Sequence, residues 1–187
     1  MLLNVIQRPD GTLDAEVEHL LSDITAWMAV HGEAIHSTRP WAIHGEGRTQ
    51  TVEGHFKEDF AFSAEDIRFT QSKDARTLYA IALGVPASGE IRIRSLGRSP
   101  GGGNRIDRGE LMGHSGNLPI EQTAEAIIVK LPSQTASKNA CTLRIYGPNL
   151  RPSTTAQFIT CSTHFGSTGR NPHSPSPISL GSGVGHC

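Results

Sequence analysis

The N-terminal stretch Met1–Trp41, MLLNVIQRPDGTLDAEVEHLLSDITAWMAVHGEAIHSTRPW, is the part of the sequence around which the rest is organised. It begins with a short apolar run, Leu2–Ile6, of the kind that forms a strand buried on both faces. Arg8–Gly11 predicts a turn, because proline presets φ and glycine accepts a positive φ. Leu13–Val30 predicts a helix. Strand, turn and helix in this order form the repeating unit of α/β architectures.

The predicted helix is amphipathic, because its large apolar residues recur at helical spacing and form one stripe. The stripe consists of Val17, Leu20, Leu21, Ile24, Trp27 and Met28. Acidic residues crowd the first turns, where the helix dipole favours negative charge, and Gly32 is expected to end the helix. A single unit of this kind cannot stand alone, since its strand needs neighbours that this sequence does not contain. We therefore expect it to come from a larger α/β fold.

The middle of the chain predicts an antiparallel β-sandwich. Residues 37–47 are expected to form a connector that contains Pro40, with Trp41 packed between two modules. Short apolar or alternating segments follow, with turn residues between them, as in sandwich folds. The expected strands lie at residues 60–62, 67–69, 78–83, 91–96, 106–112, 126–131 and 142–146, with a Gly-rich loop at 98–104.

The last part of the chain, residues 152–187, has a different composition. Ser, Thr, Gly, Pro and His dominate it, and its few apolar residues show no helical or strand period. Such a segment cannot bury enough apolar surface to offset the entropy of ordering it, so we expect it to be disordered. A shifted reading frame is one interpretation of this composition. The predicted division is therefore 1–36, 37–47, 48–151 and 152–187.

Composition limits the possible functions. The chain has 187 residues, which suggests one domain, and its formal net charge of −1 does not indicate a nucleic-acid binder. It has no apolar run long enough for a transmembrane helix and no signal-peptide pattern at Met1. The three cysteines fit no zinc motif, and their odd number argues against a disulfide framework. A reducing compartment is favoured, although the compartment itself stays open.

No catalytic, cofactor-binding or metal-binding residue is predicted, and no cofactor is expected. His31, Glu33 and His36 lie close in sequence, but without the spacing of a zinc helix. Gly101–Asn104 resembles a phosphate loop only in glycine content, because no Gly-Lys-Ser/Thr follows it. His44 and His55 are expected to have surface roles. The histidines of the tail are too dispersed to form a site: His164, His173 and His186.

Acidic residues near the N-terminus invite comparison with a glycosidase, which needs two carboxylates about 5 to 10 Å apart. Asp10 is explained by the turn, and Asp14, Glu16 and Glu18 are explained by the helix dipole. The chain also has few aromatic residues that could stack on a sugar. We expect Trp27 to lie on the buried stripe, which leaves it unavailable as a platform.

Three passages occur in order along residues 1–152. The first is LLNV at 2–5 with PDGT at 9–12; the second is GEAI at 32–35 with TRPW at 38–41 and GEG at 45–47; the third is AEDIRFT at 64–70 with LYAI at 78–81. Together they resemble the C-terminal end of bacterial family 29 glycoside hydrolases, the α-L-fucosidases. SLG at 95–97, VKLP at 129–132 and LRI at 143–145 continue the resemblance more loosely. Ile6-Gln7 replaces a Gly-Pro pair common in the family, which suggests a subfamily.

The resemblance implies that residues 1–36 are the last strand and helix of a (β/α)8 barrel and that a C-terminal β-sandwich follows. It implies a retaining hydrolase that releases terminal α-L-fucose from glycans. The family's nucleophilic Asp, acid/base Glu and fucose-binding histidines lie upstream of this region and have no counterpart here. We therefore expect no glycosidase activity from this chain alone, and a role in closing the barrel and capping one side of it.

The expected partners follow from the absence of the catalytic residues from this region. A fucosylated glycan would be bound only through the rest of the barrel, and no nucleic acid or membrane partner is expected. Self-association through the exposed barrel surface is expected instead, because unpaired apolar patches promote it. Two alternatives stay open: a stand-alone, non-catalytic carbohydrate-binding or interaction module, and a truncated or frame-shifted product without a function of its own.

Overall fold

A computed structural model describes Val5 and residues 7–49, 61–98 and 104–153 of the chain. Three sequence predictions fall almost wholly outside these residues: the strand at 2–6, the loop at 98–104 and the disordered tail at 152–187. Among the described residues, no helix is both long and apolar enough to cross a membrane.

The turn and the helix near the N-terminus are confirmed. The backbone N–H of Gly11 donates to the Arg8 carbonyl at 2.9 Å, and Gly11 takes a φ of +83°. Helix α1 spans Ala15–His31, and Asp14 precedes it with extended backbone. The helix ends where it was expected to end, but Gly32 does so with a negative φ, as the start of the 3-10 turn Gly32–Ala34.

The β-sandwich is also confirmed. A five-stranded sheet has the order β1-β2-β3-β8-β5, a three-stranded sheet has the order β4-β7-β6, and the adjacent strands within each sheet are antiparallel. A 3-10 helix, Arg94–Leu96, follows β4. The strands are β1 Thr38–Glu46, β2 Ile67–Ser72, β3 Thr77–Ala82, β4 Glu90–Ile93, β5 Arg108–Leu111, β6 Ile120–Gln122, β7 Ile127–Lys130 and β8 Cys141–Tyr146.

Three local predictions were wrong. The expected connector at 37–47 contains β1, and proline is tolerated there because β1 is an edge strand with one unpaired side. Trp41 lies in the sandwich core and does not separate two modules: it is 6% exposed and packs edge-to-face against Phe69 at 5.0 Å. No strand forms at residues 61 and 62, the described part of the predicted strand at 60–62.

The core lies between the two sheets and is built from alternate residues of their strands. Its buried side chains include Ile67, Phe69, Leu78, Ile91, Ile93, Leu96, Leu111, Ile127, Val129, Leu143 and Ile145. Full burial of one such side chain stabilises a fold by about 1.5 to 3 kcal/mol. This alternation agrees with the period-two pattern that predicted the strand at residues 91–96.

Strand β3 is apolar on both faces, which indicates that a further layer covers the five-stranded sheet. Leu78 and its alternate neighbours face the sandwich core, whereas Tyr79 and Ile81 join a second buried cluster. That cluster contains Ala34 and Met112, and the half-buried Trp27 and Val30 of α1 pack against it. The C-terminal half of α1 therefore lies on the outer face of the five-stranded sheet.

Candidate functional site at the helix–sheet junction

A polar network joins the end of α1 to the sheet beneath it, and we call it the junction network. Its first half centres on Glu33 in the 3-10 turn. The Tyr79 hydroxyl donates to Glu33 Oε1 at 2.5 Å, and Arg144 Nη2 donates to Glu33 Oε2. In the same turn, the Ala34 carbonyl accepts a hydrogen bond from the Thr70 hydroxyl at 2.6 Å. Strands β2, β3 and β8 thus each hold the segment that follows the helix.

The second half of the junction network centres on Glu110 of β5. Arg144 Nη1 donates to Glu110 Oε2 at 3.0 Å, and the Tyr146 hydroxyl donates to the same oxygen at 3.2 Å. Arg108 Nε donates to Glu110 Oε1 at 3.2 Å, and its guanidinium lies 3.8 Å from the centre of the Tyr146 ring. Arg144 therefore bridges two carboxylates, one from the helix end and one from the sheet edge.

Burial and hydrogen bonding within the junction network shift the pKa values of Glu110, Tyr79 and Arg144. Burial by itself raises the pKa of Glu110, but the hydrogen bonds from Arg144, Tyr146 and Arg108 outweigh it and lower that pKa. Burial, and then the hydrogen bond to Glu33, raise the pKa of Tyr79. Burial alone would lower the pKa of Arg144. The hydrogen bond to Glu110 and the nearby negative charge of Glu33 outweigh burial and raise that pKa.

These directions decide what the network can do chemically. A glycosidase needs one carboxylic acid that stays protonated near neutral pH, and its pKa must therefore be raised. The pKa of Glu110 is lowered instead, and Glu33 accepts hydrogen bonds from Tyr79 and Arg144. The hydrogen bonds of the junction network therefore hold the helix end on the sheet, and the lowered pKa of Glu110 does not suit that group to the role of the acid.

His31 is the most deeply buried histidine among the described residues. It is 1% exposed and stacks on Trp27 with the ring centroids 4.8 Å apart. Burial lowers the pKa of its imidazole, because the charged form would lose contact with water. Trp27 in turn donates from Nε1 to the Ala140 carbonyl at 3.2 Å, which fixes the ring pair against the sheet.

Those histidines and acidic residues singled out from the sequence that the structure describes do not gather into a metal site. His31 is buried, whereas His36 and His44 are exposed. Within the part of the chain that the structure describes, no three His, Cys, Asp or Glu side chains are placed to hold a metal ion. The remaining positions lie outside the described residues: His55, Gly101 to Gly103, His164, His173 and His186.

The acidic residues near the N-terminus have local structural roles. The Asp10 carboxylate accepts hydrogen bonds from the backbone and the hydroxyl of Thr12, first of all the backbone bond, and these lower its pKa. Asp14 pairs with Arg8 at 2.6 Å. Glu16 and Glu18 are exposed on the first turns of α1. The expectation of turn and helix-end roles is thus consistent with their environments.

Sequence reasoning did not find Tyr79 and Arg144 as partners of Glu33, or Glu110 as the second partner of Arg144. The available signal was strand β3, TLYAIA, whose apolar residues on both faces predict a covering layer. The alternation of β8, CTLRIY, also places Arg144 on the face opposite the core. Neither pattern reveals which acidic residue the arginine meets, because Glu33 is 111 positions away along the chain.

With this geometry established, comparison with known proteins is informative. Residues 61–146 match the family described as "Alpha-L-fucosidase C-terminal domain". The plasma alpha-L-fucosidase of Pongo abelii is 28% identical over 144 residues, which cover 75% of this chain and 26% of that protein. The alpha-L-fucosidase of Branchiostoma floridae is 23% identical over 142 residues, covering 75% and 27%. The chain thus spans about a quarter of the length of these curated relatives.

Solved structures share the fold. The chain is similar to the Thermotoga maritima alpha-fucosidase solved with a mechanism-based inhibitor, with a TM-score of 0.57 and 21% sequence identity. That similarity covers 78% of this chain and 30% of the other. A second crystal structure of the same enzyme gives a TM-score of 0.54 and 24% identity. Residues 61–146 of this chain therefore match the α-L-fucosidase C-terminal domain, and the chain is homologous to the α-L-fucosidases.

Proposed function

We propose that this chain is the supporting, non-catalytic C-terminal part of a retaining α-L-fucosidase, an enzyme that releases terminal α-L-fucose from glycans. The catalytic carboxylates and the fucose pocket would lie in the remainder of the enzyme. The observation that carries the proposal is the C-terminal domain at residues 61–146, in a chain that spans 26% of a homologous fucosidase. The two carboxylates of the junction network, engaged by arginine and tyrosine, agree with a structural role.

We further assign the enzyme to the bacterial members of glycoside hydrolase family 29. This assignment rests on the ordered passages at residues 2–12, 32–47 and 64–81, since the curated relatives named above are eukaryotic. The homology to α-L-fucosidases supports a fragment of such an enzyme over a stand-alone carbohydrate-binding or interaction module.

The proposed division of the chain follows the sequence prediction. Residues 1–36 supply the last strand and helix of the catalytic barrel, 37–47 connect it to the sandwich, and 48–151 form the sandwich. Strand β1 lies within the proposed connector and pairs with β2, and the C-terminal half of α1 packs on the outer face of that sheet.

The N-terminal half of α1 is the surface that we assign to contact with the catalytic part. Whereas Trp27 and Val30 pack on the sheet, Leu20 belongs to the same apolar stripe and is 53% exposed. Val17, Leu21 and Ile24 beside it are half-buried. An apolar stripe of this kind favours association with a complementary surface, or self-association when that surface is not present.

Leu20→Glu is therefore expected to reduce self-association of the purified chain and its binding of a dye that reports exposed apolar surface. Burial of one leucine is worth about 1.5 to 3 kcal/mol, so we expect the dissociation constant of the self-associated form to rise by roughly tenfold or more. Sedimentation velocity and dye fluorescence measure the two effects.

Ser22→Glu is the matched control, because Ser22 is exposed on the same helix and the substitution adds the same charge. It should leave both measurements near those of the parent chain. If Leu20→Glu and Ser22→Glu behave alike, the stripe is not an association surface and this part of the proposal fails.

A further inference from the structure

An open surface pocket at one end of the sandwich core lies outside the junction network. It has a volume of about 500 Å³ and lies between the β1–β2 edge and the segment 148–152, which crosses that end of the core. Trp41 forms part of its lining, and its Nε1–H donates to the Leu150 carbonyl at 3.0 Å. Small-molecule sites commonly have volumes of about 300 to 1,000 Å³, so the pocket has room for a ligand of monosaccharide size.

Arg39 lines this pocket from an exposed position on β1. It lies two residues before Trp41, so alternation places it on the same side of the strand as Trp41, although Trp41 is buried. Its register partner on β2 is Gln71, which is 8% exposed. Among the described residues, the Arg39 guanidinium has no hydrogen-bond or ion-pair partner. Its five N–H donors are therefore available to the pocket that it lines.

Arg151 supplies a second positive charge from the opposite wall. The Asn104 side chain accepts a hydrogen bond from the Arg151 backbone N–H at 2.6 Å, which anchors this part of the crossing segment. Arg151 Nε donates to Asn149 Oδ1 at 3.0 Å, which orients the guanidinium. Its two terminal nitrogens have no partner among the described residues.

The charge of the pocket is one-sided. The described residues that line it include Arg39 and Arg151 but no aspartate or glutamate. The chain as a whole carries a formal charge of −1, so this local excess does not reflect general basicity. Guanidinium groups recognise carboxylate, sulfate and phosphate oxygens through paired, charge-assisted hydrogen bonds.

From these observations we infer that the pocket binds the oxyanion group of an acidic saccharide, with Arg39 and Arg151 as the residues that hold it. The preference for an oxyanion follows from the pocket itself. The saccharide as its carrier rests on the proposed function, because a fucosidase acts on glycans. The pocket would let the sandwich recognise an acidic sugar residue of the glycan that the catalytic part trims.

A competing explanation exists for Arg39. Edge strands often carry charged or inward-pointing residues and proline, which prevent pairing with another chain, and β1 is an edge strand with Pro40 next to Arg39. That explanation requires no ligand and gives no role to Arg151. Binding measurements therefore separate the two explanations.

The test is a titration of the full 187-residue chain, followed by the indole N–H signals in a ¹H–¹⁵N correlation spectrum. The chain has two tryptophans, so two such signals are expected, and Trp27→Phe assigns the Trp41 signal. The probes are sodium glucuronate, sodium sulfate and galactose at constant ionic strength. We expect a saturable shift of the Trp41 signal with glucuronate, a weaker one with sulfate and none with galactose.

Arg39→Gln and Arg151→Gln should each weaken glucuronate binding by roughly tenfold or more, since a hydrogen bond to a charged group contributes about 1.5 to 3 kcal/mol. Arg105→Gln is the matched control, because Arg105 is 80% exposed and does not line the pocket. If Arg39→Gln fails to fold, Arg39→Lys replaces it and should show intermediate binding, since lysine keeps the charge but loses the paired donors.

Two results would overturn the inference. No shift with any anion, or equal shifts with galactose and glucuronate, would leave edge protection as the role of Arg39. Sulfate binding as tight as glucuronate binding would overturn the saccharide as carrier. Neither result bears on whether the chain supports a fucosidase, because the measurement involves no hydrolysis.

Discussion

Glu46→Ala is expected to lower the free energy of unfolding by about 3 kcal/mol. Glu46 lies at the end of β1 and is 7% exposed. Its Oε1 accepts a hydrogen bond from the Arg94 backbone N–H at 2.8 Å, and its Oε2 accepts one from the Ser95 backbone N–H at 2.8 Å. The Ser95 hydroxyl donates to the same Oε2. One carboxylate thus accepts hydrogen bonds from both N–H groups at the start of the 3-10 helix and links the two sheets.

The large expected effect follows from what the substitution leaves behind. Alanine cannot accept these bonds, so two backbone N–H groups and a buried hydroxyl lose their partner, and each unsatisfied buried group costs about 1 to 3 kcal/mol. Glu46→Gln keeps one acceptor oxygen and should lose about half as much. Urea unfolding followed by circular dichroism measures both.

Glu90→Ala provides the control for Glu46→Ala. Glu90 is an exposed glutamate on β4, and its removal should change stability by less than about 0.5 kcal/mol. A Glu46→Ala variant that unfolds at the same urea concentration as Glu90→Ala would show that the carboxylate does not tie the sheets.

Arg144→Leu is expected to cost about 2 kcal/mol and to loosen the docking of α1 on the sheet. Arg144 bridges Glu33 and Glu110, and its side chain is 24% exposed. Loss of one partner from a well-buried ion pair typically costs about 3 to 5 kcal/mol, but the Glu33 side chain is 53% exposed and water compensates it in part. Hydrogen exchange in Trp27–Ala34 should therefore increase more than exchange in β7.

The effect of Arg144→Leu should depend on pH with a definite sign. Because the pKa of Glu110 in the fold is lowered from its ordinary value of 4.5, this carboxylate contributes stability above that pH. The contribution is lost as the pH falls through the lowered pKa, so the parent and the variant should converge in acid. Arg105→Leu is the control, since Arg105 pairs with Asp107 on the surface at 3.2 Å with 80% exposure. Equal exchange of Trp27–Ala34 in both variants would contradict the role of Arg144.

Local sequence patterns were sufficient for most of the fold. Alternation predicted β4, and short apolar segments predicted β2, β3, β7 and β8, because each strand places apolar residues on a buried face. Helical spacing predicted α1 to within two residues at its start and one at its end. Strand β6 was not predicted, since three residues are too short to show a period. Strand β1 was not predicted because it contains Pro40. Proline is tolerated on an edge strand, and the local sequence does not show which strand lies at the edge.

The junction network could not be predicted, for a physical reason. Glu33 meets Tyr79 from 46 positions away and Arg144 from 111 positions away, and no local period connects them. The sequence did predict that no catalytic residues are present, and the lowered pKa of Glu110 agrees with that prediction without testing it. The resemblance carried by residues 1–152 supplied the family, which composition and periodicity alone did not reach.

Hydrolysis of 4-nitrophenyl α-L-fucoside by the purified, folded chain is the measurement that tests a supporting, non-catalytic role most directly. The predicted result is no release of nitrophenol above the blank, with circular dichroism confirming that the strands are formed. Release above the blank that disappears in Glu33→Gln or Glu110→Gln would contradict the account, because it would make the junction carboxylates catalytic groups.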